Sequence, residues 1–465
     1  MMRKQVKIVA TLGPASDNKI MIKKLAQAGV NVFRLNLSHR TEEECVQTIA
    51  WIRSVGKELN TQLAVLGDLA GPKIRIGMVE PPLELHSGQT VSLVSKKVNG
   101  TLDGGINLNF PDILKRLEKG MEIYLDDGLL KFQVLEKTKE GVKARVLIGG
   151  LLKSRKGFSV QGLSMGRFQL SQKDKTDIKA MVKLGADFLA VSFVQDARDI
   201  EAVKVLLPKN GSRPQVIAKI ETADAVREVD GILEAADGLM IARGDLGLSV
   251  PMPEIPFIQK ELIIKCMAHA KPVITATQML ESMIHNPLPT RAEVTDVTKA
   301  ILDGSDAVML SGETAAGKFP EEAVRTMADI IKTSTPKIVR RIFSDNNHTA
   351  DAVAASACSI ADQVAAKLII VFTETGSTAR RISRHRHQQP ITALTTSVAT
   401  LHQLSVTWGV TTFLEKPIKT FDEAMPLAHR VAVTQGLKKG ELFVVSAGVP
   451  FGTRGSTNLI FIGRV

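Results

Sequence analysis

At 465 residues the chain is too long for one ordinary domain and points to about three. Its 44% hydrophobic and 23% charged residues are those of a soluble globular protein, and without a run of eighteen apolar residues it has no membrane span. A formal charge of +12 would attract nucleic acid or small phosphorylated anions, but one tyrosine and two tryptophans supply few stacking platforms, so nucleic acid is not the expected partner.

The opening MMRKQVKIVATLG runs straight into a strand pattern, with no signal-peptide core or cleavage site. Cys45, Cys266 and Cys358 lie far apart in no metal spacing, which suits a reducing setting, and a cytoplasmic location is expected. Short β-branched runs then recur at 6–11 (VKIVAT), 32–38 (VFRLNLS), 63–69 (LAVLGDL), 188–193 (FLAVSF), 216–221 (VIAKIE), 239–245 (LMIARGD), 272–278 (PVITATQ) and 307–313 (AVMLSGE). Helical patterns such as NKIMIKKLAQAG and EEECVQTIAWIRSVGKEL separate most of them. Near-continuous apolar strands alternating with helices predict a parallel sheet covered on both faces, and eight of them close a (β/α)8 TIM barrel.

The rhythm breaks once. Over 70–167 the helical pattern gives way to LELHSGQTVSLV, EIYLDDGLLKFQVLE and VKARVLIGG with glycine-rich turns, which predicts an all-β module, a small barrel acting as a lid, inserted after the third strand. The flanking pieces, 1–69 and 168–345, together approach the roughly 250 residues typical of the barrel. SDNNHTADA then reads as a linker and helix start, and 346–465 is predicted to form a C-terminal open α/β-sheet domain from KLIIVFTE, PITALT, VTTFLE, LFVVSAG and NLIFIGRV.

In such a barrel, chemistry collects where the strands end. Strand two ends in Arg34, Asn36 and Ser38, strand three in Asp68, strand four in Ser192, strand five in Lys219 and Glu221, strand six in Arg243 and Asp245, strand seven in Thr277, and strand eight in Ser311 and Glu313. Polar residues also mark where strands meet solvent, but same-face charges at nearly every end call for a site. Glu221 and Asp245 are 24 residues apart, about one βα unit, which predicts adjacent strands. Two neighbouring carboxylates repel unless a cation bridges them. Mg²⁺, with Mn²⁺ as a substitute, suits oxygen ligands, and no Cys or His pair is available for zinc. Lys219 is a point charge for a passing phosphoryl group, and Arg34 faces the same space as a clamp for phosphate or carboxylate. Arg243 is expected to pair structurally with a barrel carboxylate, and Gly244 either admits substrate to the backbone or makes a tight turn.

Six motifs in order, KIVATLGPAS, RLNLSH, AKIETADAV, IARGDLG, KPVITATQMLESM and DAVMLSGETAAGKFP, resemble the pyruvate kinase family along nearly the whole chain. The resemblance implies a barrel with an inserted β-lid and a C-terminal effector domain. It implies transfer of the phosphoryl group of phosphoenolpyruvate to ADP, giving pyruvate and ATP, by a homotetramer. Residue by residue it makes Arg34 the phosphate clamp, Lys219 the group stabilising the transferring phosphoryl, and Glu221 and Asp245 the Mg²⁺ ligands. Gly244, Asp245 and Thr277 become the enolpyruvate set, with Thr277 and Ser311 ordering the water that protonates the enolate. Arg75 and Lys156 resemble nucleotide-phosphate contacts, with Asn36 and His39 towards the nucleotide; His39 could equally cap or pack. Asn36, Ser38 and Asp68 resemble the monovalent-cation site.

Two motifs depart from the family. DLAGPKIR stands where the family often has DTKGPEIR, so Leu69 replaces a threonine and Lys73 a glutamate. The Lys73 ammonium is expected to fill the cation's role with Asp68 as partner, making K⁺ unnecessary; otherwise Lys73 points to solvent and the ion still binds. KGFSVQG at 156–162 departs from the usual lid exit and leaves the role of Lys156 open. In the C-terminal domain, Thr373, Thr375, Gly376, Ser377 and Thr378 join a strand to a helix start and are predicted to take a phosphorylated effector, although an ordinary N-cap has the same composition. Two other readings share residues: a Mg²⁺-dependent lyase or aldolase, which leaves the lid and the Arg75/Lys156 pair without a task, and an RNA- or phosphoanion-binding protein motivated by RRISRHRHQQP at 380–390.

Overall fold

The computed structural model describes residues 5–465 except 72, 164–169, 210, 342, 344–347 and 453–454. The predicted lid boundary at 167/168, the first four residues of the linker motif and one residue of DLAGPKIR therefore lie outside the described residues.

Eight parallel strands, Lys7–Leu12, Val32–Asn36, Ala64–Asp68, Phe188–Val191, Gln215–Ile220, Gly238–Ala242, Val273–Ala276 and Ala307–Leu310, close a barrel in which chain neighbours pair all the way round. The period of two along each strand divides its side chains. Val9, Val32, Leu66, Phe188, Ala190, Ile217, Met240, Ile274, Ala276 and Met309 fill the interior. The alternate positions, such as Ile8, Phe33, Val65, Leu189, Val216, Ile241 and Val308, pack under the helices. Both sets are buried, which is why these strands read as unbroken apolar runs. The helix Glu42–Glu58 shows the covering layer: Thr41 and Glu44 form a capping box, and Cys45, Ile49, Ile52 and Val55 supply the buried stripe.

Sequence alone overran the strand ends. Strand two stops at Asn36, whose side chain accepts from the Ser38 N–H and starts the 3-10 turn Leu37–His39. Strand six stops at Ala242, and Arg243–Leu246 is a helical turn. Strand eight stops at Leu310, and Gly312–Ala315 is another. Polar side chains bond locally there and satisfy the backbone that a longer ladder would have used.

Between strands three and four lies a β module with its own core, including Val91, Leu93, Ile123, Phe132, Val134, Val146 and Phe158. Its six-stranded sheet runs Phe158–Val160, Glu122–Leu125, Leu130–Lys137, Gly141–Ile148, Thr90–Val94, Ile106–Asn107, beside a two-stranded sheet of Leu83–Leu85 and Gly150–Leu152. Residues 74–77 thread between the two edge strands: Phe158 N–H donates to Ile74 O at 2.9 Å and Gly77 N–H to Asn107 O at 2.7 Å.

The C-terminal sheet has the order Val410–Leu414, Ile391–Thr395, Leu368–Phe372, Leu442–Gly448, Thr457–Arg464, parallel except for the last pair. Its domain packs where the barrel strands begin. Lys7 Nζ donates to Val410 O at 2.6 Å, and Val406 joins the barrel-interior cluster. Asp306 accepts from Arg386 Nη2 at 2.8 Å and from the Trp408 N–H at 2.9 Å. The basic run that suggested RNA binding is consumed in this contact. Arg384, His385, Arg386 and His387 are all buried, so they are not the accessible cations a nucleic acid needs.

Candidate active site

The interior parity that stacks Val32, Leu66, Ala190 and Ile217 continues upward into Thr11, Arg34, Asp68, Ser192 and Lys219. One alternation therefore gives an apolar plug below and a polar layer at the mouth. Asp68 is its hub. Arg34 Nε donates to Asp68 Oδ2 at 2.6 Å, and Arg34 Nη1 donates to Thr11 Oγ1 at 3.0 Å. Lys219 Nζ lies 3.3 Å from Asp68 Oδ1 and 2.9 Å from Glu221 Oε1, and donates to Ser192 Oγ at 2.7 Å. Ser192 Oγ in turn donates to Leu69 O at 2.8 Å.

These charges tune one another. Burial opposes ionisation of Asp68, but Lys219 and Arg34 outweigh it and hold the carboxyl below its usual range. Burial disfavours the Lys219 ammonium, yet Asp68 and Glu221 raise its pKa, so it stays protonated. Burial raises Glu221; Lys219 counters this, and Asp245 adds to the rise by repulsion. Glu221 Oε2 accepts from the Phe193 N–H at 2.7 Å, with Phe193 in the left-handed region at φ 58°.

Asp245 sits on the Arg243–Leu246 turn rather than on a strand, correcting the expectation that it shares alternation with Arg243. Arg243 points away to Asp296 Oδ1 at 2.6 Å and to Thr277 O at 2.9 Å, the structural pairing expected of it, with a partner on the helix Arg291–Asp303. Glu313 is also structural: its two oxygens accept from the N–H groups of Leu280 and Ser311 at 3.0 and 2.7 Å. Gly244 is not in a positive-φ turn, and a Cβ there would meet Thr277 Oγ1 only at an ordinary 3.5 Å. It lies within the helical turn Arg243–Leu246, and neither its φ nor a crowding neighbour requires a glycine there. Its N–H donates to Thr277 Oγ1 at 2.8 Å. Thr277 and Gln278 both have positive φ, 68° and 55°, a strained pair beside the mouth. The buried Ser311 Oγ has no hydrogen-bond partner among the described residues.

Lys73 is the main correction. Its ammonium is 3.1 Å from Asp245 Oδ1 and 3.7 Å from Asp127 Oδ1, and not on Asp68, whose oxygens Arg34 and Lys219 already take. Burial opposes its charge, but Asp245 and Asp127 more than compensate and raise its pKa. Asn36 Oδ1 accepts from Ser38, and the buried Leu69 offers its carbonyl to Ser192. His39 is exposed at the end of its turn. On the β module, Lys156 Nζ pairs with Asp126 Oδ1 at 2.8 Å, and Arg75 Nη1 donates to Arg155 O at 3.1 Å. Sequence reasoning missed Thr11, Asp126, Asp127 and Asp296. Thr11 alone had a signal, as the polar end of strand one.

The donor set fits a hard divalent cation: Glu221 and Asp245 offer oxygens, repel each other and each meet one competing ammonium, Lys219 at Glu221 and Lys73 at Asp245. No cluster of three or more His, Cys, Asp or Glu occurs among the described residues, which leaves this pair to rely on water or substrate for further ligands.

At the other end of the molecule, a cavity of about 240 Å³ opens where the C-terminal sheet's strands end, lined by Thr373, Thr375, Ser377, Thr378, Lys416 and Ser456 among others. Gly376 turns the chain there at φ 79°, Thr373 Oγ1 accepts its N–H at 3.0 Å, and Thr378 Oγ1 bonds Thr457 Oγ1 at 2.6 Å.

The chain matches the family described as pyruvate kinase, barrel domain, over residues 3–324, and pyruvate kinase, alpha/beta domain, over residues 351–462. It is 42% identical to pyruvate kinase of Geobacillus stearothermophilus over 470 residues, covering 99% of this chain and 80% of that protein. It is 41% identical to pyruvate kinase of Staphylococcus aureus strain MRSA252 over 472 residues, with the same coverage. Among solved structures, a pyruvate kinase from Cryptosporidium parvum superposes with a TM-score of 0.91 at 34% identity, covering 99% of this chain and 96% of that one. With a closed eightfold barrel, an inserted β module, a C-terminal α/β sheet and matches along both halves, this chain belongs to the pyruvate kinase family of phosphotransferases.

Proposed function

We propose that the barrel mouth moves the phosphoryl group of phosphoenolpyruvate to ADP, with Lys219 as the catalytic cation. The observation that carries this is the buried ammonium on Asp68, Ser192 and Glu221, with the Arg34 guanidinium on the same Asp68. Glu221 and Asp245 would hold Mg²⁺, or Mn²⁺, which when bound neutralises charge on phosphate and enolate oxygens. Arg34 orients the substrate phosphate. Lys219 donates to the phosphoryl oxygens as the bond to the enolate oxygen breaks and that to the ADP β-phosphate oxygen forms. The Gly244 backbone and Thr277 hydroxyl hold the enolpyruvate unit. Thr277 and Ser311 order the water that protonates the enolate carbon, a task the unpartnered Ser311 hydroxyl suits. Arg75 and Lys156 on the β module, with His39 and Asn36 at the rim, meet the nucleotide. Asp126 already holds Lys156, so a nucleotide phosphate must compete with that carboxylate for the ammonium. A coupled assay of pyruvate formation tests the reading: turnover requires both ADP and Mg²⁺, and equal turnover without ADP would instead establish the lyase alternative.

K⁺ is not required in this proposal. Of the expected donors, Asp68 is taken by two cations and the Leu69 carbonyl by Ser192, while Lys73 supplies positive charge at the mouth between Asp245 and Asp127. The 373–378 loop takes a phosphorylated effector; Thr375 and Ser377 line the cavity, whereas Thr373 and Thr378 build the loop. The chain works as a homotetramer in the cytoplasm. The exposed Met252 and Phe257 of one segment support a subunit contact, and a monomer by light scattering at assay concentration would count against it. No helix among the described residues is long and apolar enough to cross a membrane.

A further inference from the structure

Lys73 lies on the path from strand three to residues 74–77, which stitch the edges of the β module together. Its ammonium reaches a carboxylate on each body: Asp245 of the barrel at 3.1 Å and Asp127 of the β module at 3.7 Å. The two carboxylates differ in exposure. Asp245 is 29% exposed and Asp127 is 77% exposed, so the second is loosely held. Asp127 rides on a strained tip, with Asp126, Asp127 and Gly128 all at positive φ (51°, 54° and 91°), and this tip abuts the barrel loop after Asp245. A Cβ on Gly128 would meet Leu248 Cδ2 at 3.2 Å, and the Gly162 N–H donates to Ser249 O at 3.2 Å. Gly157 forms the floor under the Lys73 side chain: a Cβ there would come within 3.2 Å of Lys73 Cε and 3.8 Å of both Lys73 Nζ and Asp127 Oδ1. The groove thus leaves the ammonium room to pass between its two partners.

We infer that Lys73 is an exchangeable latch that couples occupancy of Asp245 by a divalent cation to closure of the β module. The inference rests on Glu221 and Asp245 being the divalent-cation ligands. A dication held by the Asp245 carboxylate would lie within a few ångström of the Lys73 ammonium and repel it. Lys73 then gives up Asp245, and the carboxylate nearest to it is Asp127. Taking Asp127 as full partner draws the tip down over the mouth, where nucleotide phosphates would be enclosed. Lys73 is a positioning residue in this scheme.

The test uses the full chain without substrates and Mn²⁺ as the probe. Mn²⁺ binding is followed by electron paramagnetic resonance, and tip closure by hydrogen exchange of peptides covering 122–137. In the wild type, Mn²⁺ should slow tip exchange about fivefold or more. Asp127→Asn should bind Mn²⁺ more weakly, because the displaced ammonium loses its second partner, and should lose that protection. Lys73→Met should bind Mn²⁺ several-fold more tightly, because the competing ammonium is gone, and also lose it. Mn²⁺ protection that survives in Asp127→Asn, or weaker Mn²⁺ binding in Lys73→Met, overturns the latch while leaving the ligand assignment standing. If Glu221→Gln and Asp245→Asn bind Mn²⁺ like the wild type, the ligand assignment itself fails and the latch with it. Gly157→Ala is a second probe: a Cβ crowding Lys73 should reproduce the lost coupling with both carboxylates intact.

Discussion

The barrel mouth and the cavity of the C-terminal sheet both lie where parallel strands end, yet they are built in opposite ways. The mouth packs Arg34, Asp68, Lys219 and Glu221 into a buried lattice of ion pairs. The cavity presents hydroxyls from Thr373, Thr375, Ser377 and Thr378 around a glycine turn, beside apolar side chains and with Glu374, Glu415 and Lys416 in its lining, and no lattice of buried ion pairs occurs there among the described residues. Burying charge carries a large desolvation cost and is sustained only by countercharge in good geometry. What the mouth gains is a cation that is fixed, protonated and already stripped of water when charge moves past it. Hydroxyls carry no such cost; they suit a ligand that must bind and leave. On the proposed function, the contrast would separate a place for transition states from a place for reversible recognition.

The sharpest way to break the contrast is to neutralise the mouth. Lys219→Met should lower kcat by about 10²–10³-fold, the range for removing a donor aimed at developing charge. Steady-state kinetics with a melting control read it, since the substitution also leaves Asp68 with Arg34 as its one remaining cation partner of the pair described. An unchanged kcat would show the lattice to be structural.

A second substitution alters the charge balance without touching the lattice. The wild type should turn over in buffer free of sodium and potassium, and Lys73→Glu should lose activity and recover about tenfold on adding K⁺. Two unit charges about 4 Å apart interact by roughly 4 kcal/mol at an effective dielectric of 20, so even a well-screened fraction gives that factor. Strong K⁺ activation of the wild type would reject the idea that Lys73 supplies the charge.

How far the sequence could be read follows from the same physics. Strands buried on both faces announced themselves as apolar runs, and all eight are in the barrel. Arg34, Asp68, Lys219 and Glu221 were legible because one alternation carries the apolar interior into the polar mouth. Asp245 was misplaced because alternation ends at Ala242, where the chain turns helical, and no period of two survives a helical turn. Glu313 looked like its neighbours in sequence but spends both oxygens on backbone N–H groups. The partner of Lys73 was out of reach: Asp245 lies 172 residues away, and Asp127 belongs to a different body. The charge of such a residue can be read from the sequence, but its contact cannot.

The cavity offers the complementary test. Ser377→Ala removes one uncharged donor from the lining. A hydrogen bond to a charged group is worth about 1.5–3 kcal/mol, so half-maximal effector concentration should rise about tenfold or more while kcat at saturating substrate stays unchanged. Sugar phosphates and nucleotide monophosphates are the probes, read by displacement of the substrate saturation curve. A curve that none of them moves would leave the cavity without the proposed ligand.

The smallest expected effect concerns the contact that joins the two regions. His385 is fully buried beside the linker, with Nδ1 3.2 Å from Arg341 O and its ring 6.1 Å from that of Phe343. Burial first, then the nearby Arg384, with Arg340 and His387 adding to it, pushes its pKa down to about 4, and the Arg341 carbonyl only partly offsets them. The folded protein therefore keeps His385 neutral over a range in which the unfolded chain is protonated. Stability from this site is full above the unfolded value near 6.5, falls as pH drops, and levels off below the folded value. By pH 5 the loss should be roughly 2 kcal/mol. Trp408 reports on the contact, since its backbone N–H donates to Asp306 and the Arg386 guanidinium lies 5.4 Å from its ring. In a Trp51→Phe background, urea unfolding followed by Trp408 fluorescence should shift to lower denaturant between pH 7 and pH 5, and His385→Asn should flatten that dependence. An equal slope in the variant would assign the acid sensitivity to other groups and leave the contact between barrel and C-terminal sheet independent of this histidine.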